Sequence, residues 1–156
     1  MSIAVFPGSF DPVTTGHMDL IYRSTRLFDQ VIIGILQNIG KTPLFSVKER
    51  VEMLEELTKD FDKVRVTSFD GLLVDFVQQE HADVIVRGLR NSQDFQYELP
   101  LAQGNYKLNQ HADTVFLATA PEHSYISSSA VKEILRFGGD ISDFVPTLVS
   151  QRIQDR

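Results

Sequence analysis

Cysteine does not occur anywhere in the 156 residues, and its absence removes several chemistries at once. There is no disulfide framework, no thiolate nucleophile and no cysteine-ligated zinc or iron–sulfur cluster. Long apolar runs are missing as well; none approaches the roughly 18 residues that cross a bilayer. The opening Met-Ser-Ile-Ala-Val-Phe-Pro-Gly has neither the basic segment nor the extended apolar stretch of a secretory signal. Position 2 is not glycine and no C-terminal cysteine motif occurs, which removes the common lipid anchors. These absences predict a cytoplasmic protein with no membrane partner. Basic excess is lacking too. Fifteen Lys and Arg against twenty-one Asp and Glu leave a net charge of −6, which argues against a nucleic-acid partner. A small anionic substrate stays open, because a local cluster of cations can sit on an acidic protein.

What is present is a regular alternation. Apolar runs at Ile3–Phe6, Val31–Leu36, Val64–Phe69, Val84–Val86 and Val115–Ala118 read as strands, and continuous runs of this kind suit a parallel sheet buried on both faces. Helical spacing fills the intervals at His17–Phe28, Ser46–Lys59, Gly71–Glu80, Gln93–Leu108, Ser129–Phe137 and Pro146–Gln154. Ser46 and Glu49 have capping-box spacing, and Gly138-Gly139 reads as a helix stop. With no repeat and no linker, residues 1–156 form one α/β domain, a doubly wound Rossmann-like unit with a five-stranded parallel sheet.

Such sheets bind ligands outside the carboxyl ends of their strands, so the residues that follow each run carry the functional signal. Gly8-Ser9-Phe10-Asp11-Pro12, then Thr14-Thr15-Gly16-His17, follow the first. Gly40-Lys41-Thr42-Pro43 follow the second, Arg87-Gly88-Leu89-Arg90 the fourth, and Pro121 to Ser129 the fifth. Each feature has a plain alternative: a Gly-His turn, a solvated arginine pair, a serine N-cap. Four strand ends that share cations, histidines, hydroxyls and small residues point instead to phosphate handling, with His17 in a first helical turn where anions are favoured. His81 and His111 read as surface residues. No His-Glu-x-x-His spacing, P-loop lysine motif, Gly-x-Gly-x-x-Gly fingerprint or Gly-x-Ser-x-Gly elbow occurs.

Gly8-Ser9-Phe10-Asp11-Pro12 with Thr14-Thr15-Gly16-His17 resembles the first signature of the nucleotidyltransferase superfamily. Ile126-Ser127-Ser128-Ser129 with Val131-Lys132 resembles the second. Arg87-Gly88-Leu89-Arg90 and Asp94-Phe95-Gln96-Tyr97-Glu98 narrow the resemblance to the bacterial phosphopantetheine adenylyltransferase family. That resemblance implies transfer of the adenylyl group of ATP to 4′-phosphopantetheine. It implies that His17 stabilises the transition state with Lys41 and Arg90, and that Ser9, Lys41, Leu73 and Arg87 hold phosphopantetheine. The nucleotide is implied to meet Ser9, Phe10, His17, Gly88, Leu89, Arg90 and Glu98, together with the stretch His123, Ser124, Tyr125, Ile126, Ser127, Ser128 and Ser129. It further implies Mg²⁺ carried by ATP and pyrophosphate rather than by a protein cage, feedback inhibition by coenzyme A, and a homohexamer built as a dimer of trimers.

Overall fold

Each apolar run becomes a strand in the computed structural model, which describes residues 1–37 and 42–156. The strands β1 (Ile3–Gly8), β2 (Gln30–Leu36), β3 (Val64–Phe69), β4 (Val84–Leu89) and β5 (Asp113–Ala118) form one sheet in the order β3-β2-β1-β4-β5. All neighbouring pairs are parallel. The helices are α1 (Thr15–Leu27), α2 (Val47–Leu57), α3 (Leu73–Gln79), α4 (Ser92–Leu108), α5 (Ser128–Arg136) and α6 (Thr147–Gln154).

Strand side chains alternate between two cores, as a period of two requires. Ala4 and Phe6, Val31, Ile33 and Ile35, and Val84 and Val86 join Leu20 and Ile21 of α1, Met53 and Leu54 of α2, Val131 of α5 and Val149 of α6. Val5, Ile32 and Ile85 face the other way, onto Val74, Phe76 and Val77 of α3. Helices therefore cover both faces, and the central strands read as unbroken apolar runs because neither side meets water.

Two strands run further at their carboxyl ends than the apolar pattern indicates, and β5 starts two residues before its apolar run, at Asp113. β1 continues through Pro7 to Gly8, paired with Gly34 and Ile35. β4 continues through Arg87, Gly88 and Leu89, paired with Phe116, Leu117 and Ala118. Arg87 is thus a strand residue rather than part of the following loop. The caps follow the sequence closely. Ser46 N–H donates to Glu49 at 2.8 Å while Glu49 N–H donates to the Ser46 hydroxyl at 3.1 Å. At the end of α5, Gly138 has φ +76°, and the N–H groups of Gly138 and Gly139 donate to Leu135 O and Ile134 O at 3.0 and 2.9 Å. This is the paired closure that a left-handed residue after a helix permits.

Gly34, in the middle of β2, has a packing reason. A Cβ there would lie 2.6 Å from Phe76 Cε2 and 3.3 Å from Phe69 Cδ1. Those two rings stack at 4.3 Å, so neither can withdraw without losing the other. Gly34→Ala is expected to destabilise by about 1–3 kcal/mol through overpacking, read as a lowered denaturant midpoint with unchanged slope. Wild-type stability would show that the ring pair shifts freely.

Candidate active site

The cleft arises from strand divergence. β1 and β4 are registered only at Ala4–Val84 and Val5–Ile85, after which the strands part. Pro7 sits where they separate. Its carbonyl accepts from Arg87 Nη1 at 2.9 Å, so a side chain of β4 occupies the place where ladder bonds would have continued. Proline's missing N–H costs nothing on a side where the ladder has stopped. The gap opens into a cavity of about 270 Å³ at the carboxyl ends of β1 and β4, where strand order reverses and doubly wound sheets bind ligands.

His17 occupies the third position of α1, and its ring closes the helix cap. Thr14 N–H donates to His17 Nδ1 at 3.0 Å, and His17 N–H donates to the Thr14 hydroxyl at 3.2 Å. A backbone N–H can only donate, so Nδ1 carries a lone pair and the proton of the neutral ring sits on Nε2. Burial, then the charges of Arg87 and Arg90, lower the His17 pKa from 6.5 to about 4. The imidazole is neutral at pH 7, yet it presents an N–H donor. Because the folded pKa lies below the ordinary one, the unfolded chain takes up a proton first as the solution is acidified. The resulting stability is intact above pH 6.5 and is lost as pH falls through about 4. Imidazole ¹⁵N spectra are expected to show protonated Nε2 and bare Nδ1 at pH 7, with titration near pH 4. A midpoint near 6.5 would contradict this assignment.

The arginines are held by carboxylates. Arg87 Nε and Nη2 donate to Glu98 at 2.9 and 2.6 Å, a bidentate pair. Arg90 donates to Asp94 from its backbone N–H at 2.9 Å, from Nε at 3.0 Å and from Nη2 at 3.1 Å. Burial alone would raise the Asp94 carboxyl, but the Arg90 bonds outweigh it and hold the group below the usual carboxylate range. Asp94 and Glu98 are the carboxylates lining the cleft among the described residues. Both are committed as acceptors, leaving neither poised as a general base.

The two sequence signatures meet behind this surface. Asp11, 4% exposed, accepts Leu44 N–H and Phe45 N–H at 2.8 Å each and pairs with Lys132 at 3.0 Å. Ser128 Oγ donates to Pro12 O at 2.7 Å. Ser127 caps α5 by accepting Ala130 N–H at 3.0 Å.

Of the positions that the sequence singles out, Ser9, Phe10, His17, Arg87, Gly88, Arg90, Glu98, His123, Ile126, Ser127 and Ser128 line the cleft together. Leu89, Ser124, Tyr125 and Ser129 lie beside it. Tyr125 is exposed and sets its ring edge-on to Phe144, and the Ser124 hydroxyl turns back to Pro121 O. Leu73 opens α3, packs on the second core and is not among the residues that line the cleft. Lys41 lies outside the described residues. Asp94, Thr14 and Thr119 add polar groups to the lining, and Phe6, Pro7, Gly8, Gly16, Leu20 and Val86 complete it. The spacing of Arg90 and Asp94, four residues apart at a helix start, is the signal by which Asp94 was within reach of sequence reasoning. Among the described residues, no group of three or more His, Asp or Glu side chains is arranged to hold a metal ion, and no helix is long and apolar enough to cross a membrane.

A cytidylyltransferase-like family model matches residues 5–134, a span that holds both signatures and the cleft. A phosphopantetheine adenylyltransferase of Lachnoclostridium phytofermentans is 54% identical over 156 residues, covering 100% of this chain and 96% of that one. The chain belongs to the phosphopantetheine adenylyltransferase family. The family's Caldanaerobacter subterraneus subsp. tengcongensis member is 50% identical over 156 residues, covering 100% of this chain and 98% of its own length. Among solved structures, a Vibrio parahaemolyticus chain described provisionally as a nicotinate-nucleotide adenylyltransferase superposes with a TM-score of 0.73 at 20% identity, covering 99% of this chain and 93% of its own. That likeness carries the fold.

Proposed function

We propose that this chain transfers the adenylyl group of ATP to 4′-phosphopantetheine, giving dephospho-coenzyme A and pyrophosphate. Membership of the family supports the substrates, and the single observation that supports the chemistry is the state of His17. A neutral ring whose Nε2–H is its only donor, flanked by Arg87 and Arg90, suits a phosphoryl group that gains negative charge.

The acceptor phosphate oxygen attacks the α-phosphorus of ATP, and the bond to the α,β-bridging oxygen breaks in line. No covalent enzyme intermediate forms. A phosphate monoester has its second pKa near 6, so the nucleophile is dianionic at neutral pH and needs no base. This accords with Asp94 and Glu98 being engaged by arginines. Alignment and donor stabilisation then carry the rate. His17 Nε2 donates to the α-phosphate, assisted by Arg90 and Lys41. Ser9, Phe10 and the segments Gly88–Arg90 and His123–Ser129 seat the nucleotide, with Glu98 behind them. Ser9, Lys41, Leu73 and Arg87 take the acceptor. Mg²⁺ would be carried by the phosphates of ATP and pyrophosphate, where it would offset their charge, with no residue of this chain assigned to hold it. A cytoplasmic homohexamer, arranged as a dimer of trimers and inhibited by coenzyme A, completes the reading.

The test is pyrophosphate release from Mg-ATP with 4′-phosphopantetheine, with nicotinate mononucleotide, with glycerol phosphate, and with no acceptor. Release that depends on phosphopantetheine alone supports the reading. Release with another acceptor reassigns the substrate, and ATP binding without release from any acceptor leaves a nucleotide-binding module.

A further inference from the structure

Arg50 is a charged side chain for which neither the sequence motifs nor the proposed reaction gives a role. It lies on α2, is only 5% exposed, and has no carboxylate within 4 Å among the described residues. Its guanidinium donates instead to three backbone carbonyls. Nε reaches Phe45 O at 3.1 Å and Ser46 O at 3.3 Å, and Nη1 reaches Ser9 O at 2.8 Å. Burying a cation without a counter-ion is unfavourable unless its donors are well used. Here they tie the start of α2, through Phe45 O and Ser46 O, to the turn at Ser9.

That turn is unusual. Phe10, the residue after Ser9, has φ +50°, a left-handed conformation that side-chain-bearing residues rarely adopt. The conformation folds the Phe10 ring back over Gly8, where an added Cβ would lie 3.2 Å from Phe10 Cε2. The same ring stands edge-on to the His17 imidazole with centroids 4.9 Å apart. Arg50 grips the carbonyl immediately before the strained residue, and Asp11 grips Leu44 and Phe45 immediately after it.

We infer that Arg50 is a positioning residue: by holding Ser9 O it keeps Phe10 in its left-handed conformation against His17, and so fixes the direction of the imidazole donor. Arg50 itself touches neither substrate. The inference rests on the proposed reaction for its kinetic consequence but not for its structural one.

Three variants test it: Arg50→Met, which removes every donor; Arg50→Lys, which restores the charge on a single donor nitrogen; and Leu57→Ala, which trims the partly buried end of the same helix. Arg50→Met is expected to lower kcat on the order of 10- to 100-fold, as small misplacements of a catalytic group do, while KM for ATP stays within about threefold. Arg50→Lys should recover part of the loss, and Leu57→Ala should lower thermal stability with kcat unchanged. Without substrate, the His17 imidazole ¹⁵N signals should move in both Arg50 variants and not in Leu57→Ala. Wild-type kcat together with wild-type His17 signals in Arg50→Met overturns the inference, as does a kcat loss shared equally by Leu57→Ala. If Arg50→Met does not fold, Arg50→Lys decides by the same two readouts. If the wild-type protein releases no pyrophosphate with phosphopantetheine, the reaction has been misassigned, and the His17 spectra alone decide the role of Arg50.

Discussion

Alanine at position 17 is expected to lower turnover by about two to four orders of magnitude, since one lost oxyanion donor costs roughly 10²–10³ and a misaligned phosphoryl group adds to it. The expectation rests on the lone donor the ring presents. Nδ1 is occupied by Thr14 N–H, so everything His17 offers the substrate passes through Nε2. The loss should fall on kcat more than on KM for ATP, because the donor gains strength only as charge develops. The fold should survive: alanine leaves the Thr14 hydroxyl capping the helix and removes the reciprocal bond, a cost of about 1 kcal/mol, together with the edge contact to Phe10. His17→Gln, whose terminal amide nitrogen reaches about as far from the backbone as Nε2, should retain more activity than alanine. Steady-state pyrophosphate release on the three proteins, with circular dichroism to verify folding, checks the ordering. Turnover within a few-fold of wild type in the alanine variant removes His17 from the mechanism.

Asp11→Ala is expected to have the largest effect on stability, about 3–5 kcal/mol, the range found when one partner of a buried charged network is removed. The carboxylate is nearly inaccessible and satisfies two backbone N–H groups and one ammonium. Without it, Leu44 N–H and Phe45 N–H lose their partners at once. A loss of this size lowers the melting temperature by roughly 2–4 °C per kcal/mol in a domain of this length. Asp11→Asn keeps one acceptor oxygen and should cost clearly less. Denaturant titration separates the two, and equal midpoints for Asp11→Ala and wild type would show that the 44–46 segment finds other partners.

The architecture was legible because buried parallel strands and amphipathic helices write different periods into a chain. The ends of strands were less so. The apolar run of β4 stops at Val86, yet Arg87 keeps its place in the sheet because β5 continues to pair with it through Ala118; hydropathy does not report a neighbour's ladder. The candidate site was legible as a set of strand ends but not as a set of bonds. That Arg87 would meet Glu98, eleven residues on, depends on how α4 returns across the sheet. That Asp11 would turn inward, and that His17 would lose one nitrogen to its own helix cap, depends on loop geometry that residue types do not encode. Arg50, on a helix rich in charged residues, carries no motif of its own in the sequence. Only the path of the Ser9 turn beside it gives that position a meaning.

The cleft between β1 and β4 opens where the backbones of the two strands part. Room and reactivity are therefore separately encoded, the first in strand order and the second in the loops. Trimming or enlarging any one lining residue alters what the space can recognise without abolishing the space. A sheet built this way can exchange one anionic acceptor for another through changes at a few strand ends, while the crevice that receives them stays open.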